Sequence, residues 1–313
     1  MSPASPTEPN PSGPSRSAAS VRLPSPTVSL GRDYLARVER LVPRIRAARE
    51  RREGAGRGGM AGGGQEFTGY RPYRPGESLR NIDWGLYARL DRPFVRLSRR
   101  ESGERWAILL DTSASMGVGV PGKLQAAAEV AGALASLGLA HGAEVHLLAN
   151  DASVFARRPT DLGRLIEVLG GLVARGGDGL GALAAEPARF RESGRVFALG
   201  DLLDLEPREL LGPVLGARRG RELVCVQLLA GVELRAVAVH RDAVPDDGVV
   251  WVDAESGERR AMELTRAARA GYEAALGRRL AAWGTACARH RATYGSFEST
   301  TPFEDVCNAV LGA

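Results

Sequence analysis

The feature that most constrains the fold is an alternation of short apolar runs with longer helical segments, which begins at Trp106 and continues to the end of the sequence. The apolar runs lie at 106–110, 144–148, 154–156, 195–199, 223–229 and 294–298. The segments of helical composition lie at 123–139, 161–172, 179–190, 207–217, 266–290 and 302–311. Strands that alternate with helices are typical of a parallel sheet with helices on both faces. The sequence therefore predicts an α/β fold with a mostly parallel sheet.

One segment departs from this alternation. The runs 234–240, 249–252 and 260–264 are short, and Ser256-Gly257 between the last two is a turn sequence. Short runs around such a turn are typical of antiparallel strands. We therefore expect a small β excursion at about 231–264 inside the α/β domain.

The residues before the alternation divide into two parts. Residues 1–28 are rich in Pro and Ser, which predicts a disordered tail. Residues 29–103 hold a predicted helix at about 33–53, a Gly-rich linker at 54–64, and a stretch at 66–100 that is dense in arginine and aromatic residues. The α/β domain then occupies 104–313.

Composition and charge argue against several function classes. No run of eighteen apolar residues occurs, so we expect no membrane span, and the tail lacks the apolar core of a secretory signal. Cys225, Cys287 and Cys307 are widely spaced and odd in number, which favours reduced thiols in a cytoplasmic protein over a disulfide framework. The net charge is +5, but acidic residues are interleaved with the arginines at 32–57, so we do not expect nucleic acid as the principal ligand.

Side chains with oxygen donors follow the strands of the predicted sheet. In open α/β sheets, ligands bind beyond the carboxyl ends of the strands. Hard oxygen donors suit Mg²⁺ or Mn²⁺. The candidate metal ligands are Asp111, Ser113, Ser115, Asp178 and Asp201. The alternative for the first three is that they cap a helix and form a turn, since Asp and Ser do both.

The Asp111-x-Ser113-x-Ser115 pattern after an apolar strand resembles the opening motif of the metal-ion-dependent adhesion site of von Willebrand factor type A domains. The resemblance implies a Rossmann-like fold, with a threonine from a second loop and an aspartate from a third completing the site. Asp201 matches the aspartate. Asp178 stands at the position of the threonine, which is a departure from the pattern.

The stretch before the domain resembles the signature of the domain of unknown function 58 family, and the resemblance extends over about residues 30–313. The shared residues include Arg71, Tyr73, Gly76, Glu77, Arg80, Asp83, Trp84 and Arg89, with Glu77 in place of the usual aspartate. The sequences Glu255-x-Gly257-Glu258 and Pro302-Phe303-Glu304 also resemble this family. The resemblance implies that this chain is a bacterial protein that acts as the partner of an AAA+ ATPase of the MoxR type, in assembly or chaperone-like work. The arginines and carboxylates of the motif either bind a ligand or partner, or form a structural ion-pair network around its aromatic residues.

Two functions remain open from the sequence. In the first, the chain is a non-catalytic protein-interaction module, in which Mg²⁺ keeps an open coordination position for a partner's acidic side chain. In the second, it is a metal-independent scaffold that binds its partner through the 66–100 region. We do not expect an enzyme, because Ser113 or Ser115 as a nucleophile would need a histidine base that no motif supplies.

Overall fold

The computed structural model describes residues 28–56, 66–72, 86–87, 92–99, 104–177, 179–235, 249–262 and 265–311. Within them, the helices are α1 (Arg32–Gly56), α2 (Lys123–Ala140), α3 (Leu162–Gly170), α4 (Leu180–Ala184), α5 (Pro207–Gly216), α6 (Gly231–Arg235), α7 (Arg266–Arg289) and α8 (Phe303–Leu311). The strands are β1 (Glu66–Pro72), β2 (Phe94–Arg99), β3 (Arg105–Leu110), β4 (Glu144–Ala149), β5 (Ser153–Ala156), β6 (Arg195–Gly200), β7 (Glu222–Leu229), β8 (Val249–Val252), β9 (Arg259–Met262) and β10 (Thr293–Glu298).

The centre of the fold is a six-stranded sheet in the order β10-β7-β6-β3-β4-β5. All neighbouring strands are parallel except β5, which runs antiparallel to β4 at one edge. The predicted mostly parallel sheet with helices on both faces is confirmed, and the architecture is consistent with a Rossmann-like fold. Because β3 and β6 are adjacent and parallel, the loops that follow them leave the same edge of the sheet.

The buried strands separate two hydrophobic cores. Successive side chains of a strand point to opposite faces, so Ile108 and Leu110 of β3 lie in the core covered by α1, α2, α3 and α8. Ala107 and Leu109 lie in the other core, with α4, α5 and α7. This two-sided burial explains why the strands are almost uniformly apolar in the sequence.

The helix α1 is part of the first core. The Tyr34 hydroxyl donates a 2.7 Å hydrogen bond to the carbonyl of Glu129 in α2, and its ring meets Phe303 edge-on at 5.0 Å. Arg37 forms a two-pronged ion pair with Glu304 of α8, at 2.6 and 2.5 Å. The predicted N-terminal helix therefore packs against the α/β domain.

The helix α2 approaches the sheet closely through Gly138. A Cβ atom at this position would lie 2.8 Å from a ring carbon of Trp106 and 2.9 Å from Cγ2 of Val145. Both distances are closer than carbon atoms pack without strain. A glycine here lets the helix settle directly on the two large side chains of the sheet.

Two predicted elements are wrong. The segment 179–190 is not one helix: α4 ends at Ala184, and a separate 3₁₀ turn spans Pro187–Phe190, because proline lacks the N–H that would continue the helix. Residues 234–235 belong to α6 rather than to a strand. This helix is favoured at its start by Glu233, whose carboxylate accepts a 2.7 Å hydrogen bond from the Ala230 N–H.

The hairpin β8–β9 is present as predicted, with strand pairs from Val249–Met262 to Val252–Arg259. Gly257 in its turn has a φ of 70°, a conformation that glycine adopts at little cost. The residues 236–248 of the predicted excursion, and 1–27 of the predicted tail, lie outside the described residues. Val28, which the prediction assigned to the tail, is described and is buried in the first core.

Candidate metal-binding site

The first loop of the site (111–115) follows β3, the second loop covers 175–179, and the third loop (201–204) follows β6. The predicted oxygen donors of the first and third loops lie at the carboxyl edge of the sheet. Asp111 directly follows β3, and its N–H donates a 2.9 Å hydrogen bond to the carbonyl of Leu199 in β6. Asp201 directly follows β6. Both carboxylates are largely withdrawn from water, since Asp111 is 5% and Asp201 is 4% exposed.

The first loop is folded so that its two hydroxyls meet. Asp111 Oδ1 accepts a 2.9 Å hydrogen bond from the Ser113 N–H, which tightens the loop at its start. A 3₁₀ turn at Ala114–Gly117 follows, anchored by the fully buried Met116. The Oγ atoms of Ser113 and Ser115 are consequently 3.1 Å apart.

The first and third loops are joined through their polar side chains. Ser115 Oγ donates a 2.8 Å hydrogen bond to Asp201 Oδ2 across 86 positions of sequence. The structure thus brings together four of the five predicted ligands, Asp111, Ser113, Ser115 and Asp201.

Two glycines allow the backbone to approach Asp111. A Cβ atom on Gly200 would lie 2.9 Å from Asp111 Oδ2, and one on Gly179 would lie 3.0 Å from the same atom. The second loop is held there by backbone hydrogen bonds from Arg175 N–H to Thr112 and from Ala114 N–H to Gly176, both 2.8 Å long. The glycines around this carboxylate therefore have a steric reason to be glycine.

Asp178 lies outside the described residues, so its role stays a prediction; the flanking Gly177 and Gly179 line the same cavity as Asp111. Most of the predicted family motif also lies outside them. The undescribed motif residues are Tyr73, Gly76, Glu77, Arg80, Asp83, Trp84 and Arg89. Arg71 is placed by its backbone in β1, opposite Val95 of β2.

Sequence reasoning missed a buried cation at the site. Lys123, the first residue of α2, is fully buried, and its Nζ donates to Asp201 Oδ2 at 2.7 Å and to Glu233 Oε1 at 2.5 Å. Burial alone would lower the pKa of Lys123, but the two carboxylates outweigh it and the pKa is raised. The ammonium therefore remains charged and neutralises part of the site.

A signal for this residue is present in the sequence. Lys123 is the only lysine of the chain, and every other basic residue among the 42 lysines and arginines is arginine. An ammonium is a compact charge with three donors, whereas guanidinium is a broad planar fork. The single lysine of the sequence therefore stands at the position where a compact buried cation lies between Asp201 and Glu233.

Side chains of α7 and β7 hold the backbone of the third loop. The indole N–H of the fully buried Trp283 donates a 3.1 Å hydrogen bond to the carbonyl of Leu202, a residue with a φ of 56°. The side-chain amide of Gln227 donates to the carbonyl of Asp201. These two contacts hold the backbone on both sides of the peptide bond that follows Asp201.

Burial and nearby carboxylates raise the pKa values of Asp111, Glu233 and Glu255. Burial raises the pKa of Asp111, and the charge of Asp201 adds to the rise. Burial likewise raises the pKa of Glu233, against the opposing effect of Lys123. The pKa of Glu255, an exposed hairpin residue, is raised by partial desolvation and then by Asp204, Asp201 and Asp111.

These groups surround a cavity of about 200 Å³. Its polar lining consists of Asp111, Ser113, Ser115, Asp201, Asp204 and Glu255. Among the described residues, no group of three or more His, Cys, Asp or Glu side chains is arranged to hold a metal ion, so any ion here would depend on the serine hydroxyls for part of its coordination.

Fold and site together define an α/β protein of Rossmann-like architecture with an oxygen-lined cavity at the carboxyl edge of its sheet. The model of the family described as protein of unknown function DUF58 matches residues 69–281, and the chain belongs to this family. The resemblance inferred from the arginine- and aromatic-rich motif is thereby confirmed. A comparison with curated proteins finds no match. Every helix among the described residues is too short or too polar to span a bilayer.

Proposed function

We propose that this chain is a non-catalytic, cytoplasmic protein-interaction module with a von Willebrand factor type A-like fold and an adhesion-type Mg²⁺ or Mn²⁺ site. The observation that carries the proposal is the 2.8 Å contact between Ser115 Oγ and Asp201 Oδ2, with Ser113 Oγ 3.1 Å from Ser115 Oγ. Two separate loops thereby deliver a hydroxyl pair and a carboxylate to one point.

The donor set suits a small, hard divalent cation. Asp111, Ser113, Ser115 and Asp201 offer only oxygen atoms, and soft ligands such as thiolates are absent from these described loops. Mg²⁺ keeps several of its waters in protein sites, and the cavity has room for water molecules beside an ion. Asp111 and Asp201 also repel each other, so a divalent cation between them would relieve an unfavourable interaction.

Binding fits the cavity better than catalysis does. Its described lining contains carboxylates and hydroxyls but no histidine, so Ser113 and Ser115 have no imidazole there to take a proton. A bound Mg²⁺ would act as a Lewis acid that accepts a carboxylate oxygen from outside. Asp111 and Asp201 would hold the ion and the serines would orient it, leaving one side open toward the cavity mouth.

The proposed partner is an AAA+ ATPase of the MoxR type. Membership of the domain of unknown function 58 family supports this choice, because bacterial members resembling this chain often accompany such ATPases. The partner would supply the Asp or Glu that completes the coordination of the ion.

Calorimetric titration with Mg²⁺ and Mn²⁺ tests the metal site. Wild type should bind, Asp111→Ala should not, and Ser115→Ala should bind more weakly. Ser153→Ala is the matched control, since its hydroxyl contacts His146 of the neighbouring strand β4 at 2.9 Å and does not line the cavity. At a free Mg²⁺ concentration about 100 times the Kd, mass action should stabilise wild type by about 2.7 kcal/mol.

The single lysine provides a second readout. Protein grown with isotope-labelled lysine has one side-chain signal, that of Lys123. Because its ammonium contacts Asp201, metal binding should shift this signal. If titration up to millimolar Mg²⁺ and Mn²⁺ produces no heat, no change in melting temperature and no shift of this signal, the proposed metal site is wrong.

A metal-independent scaffold is the second candidate function. Lys123 favours it, because its ammonium already supplies a positive charge to Asp201 at 2.7 Å. In that case the ATPase partner would bind equally well in EDTA and in Mg²⁺, and deletion of the arginine- and aromatic-rich stretch at 66–100 would abolish binding. The first candidate requires the opposite result in EDTA.

A further inference from the structure

We propose that Glu255, at the tip of the β8–β9 hairpin, is an intramolecular ligand of the metal site that occupies the position meant for a partner's carboxylate. This inference rests on the proposed function and adds a form of regulation to it. The partner would have to displace the hairpin before it could reach the ion.

The hairpin tip lies over the cavity. Glu255 lines the cavity together with Asp111, Ser113, Ser115 and Asp201. A Cβ atom on Gly177 of the second loop would lie 3.9 Å from Glu255 Oε2. The carboxylate therefore extends from the hairpin onto the loop that borders the site.

The turn that carries Glu255 is braced by its own hydrogen bonds. Asp253 Oδ1 accepts from the N–H of Glu255 at 3.0 Å, from the N–H of Ser256 at 2.7 Å and from the Ser256 hydroxyl at 2.9 Å. Asp253 N–H donates to the carbonyl of Glu258 at 2.9 Å, which closes the turn. The tip is thus preorganised, which limits the entropy lost when its side chain binds.

The carboxylate of Glu255 is available for a ligand. Within the described part of the chain, no hydrogen bond or ion pair holds its side-chain oxygens, whereas Glu258 on the same hairpin is paired with Arg260 at 3.1 Å. Glu255 instead lines the same cavity as Asp111, Asp201 and Asp204. A carboxylate that shares a cavity with other carboxylates and has no cation of its own gains from a divalent ion bound beside it.

The nearest cation does not meet this need. Lys123 Nζ already contacts Asp201 and Glu233, and it is fully buried beneath the site. The cavity mouth, where Glu255 lies, therefore retains an excess of negative charge. One ion between Asp111, the serine hydroxyls and Glu255 would balance it, and this ion would have no open position left for an outside acid.

The test compares Mg²⁺ affinity in full-length wild type, Glu255→Gln, Glu255→Asp and Glu258→Gln. Glu255→Gln should bind Mg²⁺ about 10–100-fold more weakly, the range typical of lost support at a metal site. Glu255→Asp keeps the charge but is one methylene shorter, so it should be weakened similarly. Glu258→Gln removes an equal charge from the same hairpin and should bind like wild type.

A second measurement follows the hairpin itself. Hydrogen exchange at residues 253–258 should slow when Mg²⁺ is added to wild type, and should be unaffected in Glu255→Gln. The Mg²⁺-loaded Glu255→Gln protein should also bind a capped Gly-Glu-Gly peptide more tightly than Mg²⁺-loaded wild type does, because its open position is free.

The outcomes separate this inference from the function on which it rests. If wild type binds Mg²⁺ and Glu255→Gln binds it equally well, the internal ligand is overturned while the metal site stands. If Glu255→Asp behaves as wild type, or exchange at 253–258 does not respond to Mg²⁺, Glu255 acts only by its distant charge and the inference is also overturned. If no protein in the series binds Mg²⁺, the proposed function fails together with it.

Discussion

Replacing Lys123 by Met should strongly destabilise the metal-free protein. The substitution keeps an unbranched chain in the buried space but removes the ammonium between Asp201 and Glu233. Asp201 has a side-chain exposure of 6% and Glu233 of 15%, so water cannot replace the lost charge. The variant leaves two buried carboxylates without a cation.

The expected magnitude follows from the geometry of these pairs. At separations of 2.7 and 2.5 Å, each attraction is about 6 kcal/mol for an effective dielectric constant of about 20. Desolvation of the three charges offsets most of that gain, and breaking a buried pair from one side costs about 3–5 kcal/mol. For a chain of this size, such a loss corresponds to a drop in melting temperature of about 5–10 °C.

The loss should also depend on pH. The raised pKa of Lys123 means that its contribution is fully present below its unfolded pKa of about 10.4, and disappears only as the pH rises through its folded value. Without the ammonium, the pKa of Glu233 in the folded state should rise further above its unfolded value of about 4.3, and ionising such a group costs stability as pH rises. The deficit should therefore be smaller at about pH 5 than at about pH 8.

Urea unfolding of both proteins without divalent ions measures the deficit. The matched control is Arg260→Met, which removes a cation from an exposed pair with Glu258 and should cost less than about 1 kcal/mol. Mg²⁺ should restore more stability to the Lys123 variant than it gives to wild type, since Asp201 would regain a cation. A deficit no larger than that of the control, or one that does not change with pH, would refute the reasoning.

Two further substitutions test how the site and its helices are supported. Trp283→Phe removes the hydrogen bond to the Leu202 carbonyl, so it should lower the stability by about 1–3 kcal/mol. It should also weaken Mg²⁺ binding, because the loop that carries Asp201 becomes looser. Unchanged Mg²⁺ affinity in calorimetry would contradict a positioning role for Trp283. Gly138→Ala should destabilise the protein by about 1–3 kcal/mol, because its Cβ atom would meet the sheet. Gly277→Ala in α7 has open space around it and should stabilise the protein by about 0.5–1 kcal/mol. Thermal unfolding in which both changes have the same sign would contradict the packing argument.

The sheet could be predicted from the sequence because its strands are buried on both faces. Such strands are nearly continuous apolar runs, and their alternation with helices leaves few topologies. The placement of Asp111 and Asp201 at one edge follows from the same reasoning, since both come directly after parallel strands. The errors occurred where local pattern is ambiguous: Pro187 divides a segment of helical composition, and Glu233 favours a helix in an apolar run.

The composition of the site was decided by tertiary structure. The sequence determined a polar edge with Asp111, Ser113, Ser115 and Asp201, because these residues are adjacent to strand ends. It did not determine that Lys123 would reach Asp201 and Glu233, or that Glu255 would lie over the cavity. Lys123 begins α2, Glu233 lies in the short helix α6, and Glu255 lies at the tip of a hairpin. No local sequence pattern links these three elements. Charges separated by 78 and 110 positions meet only when the sheet and its helices have packed, and burial then gives their interaction its strength.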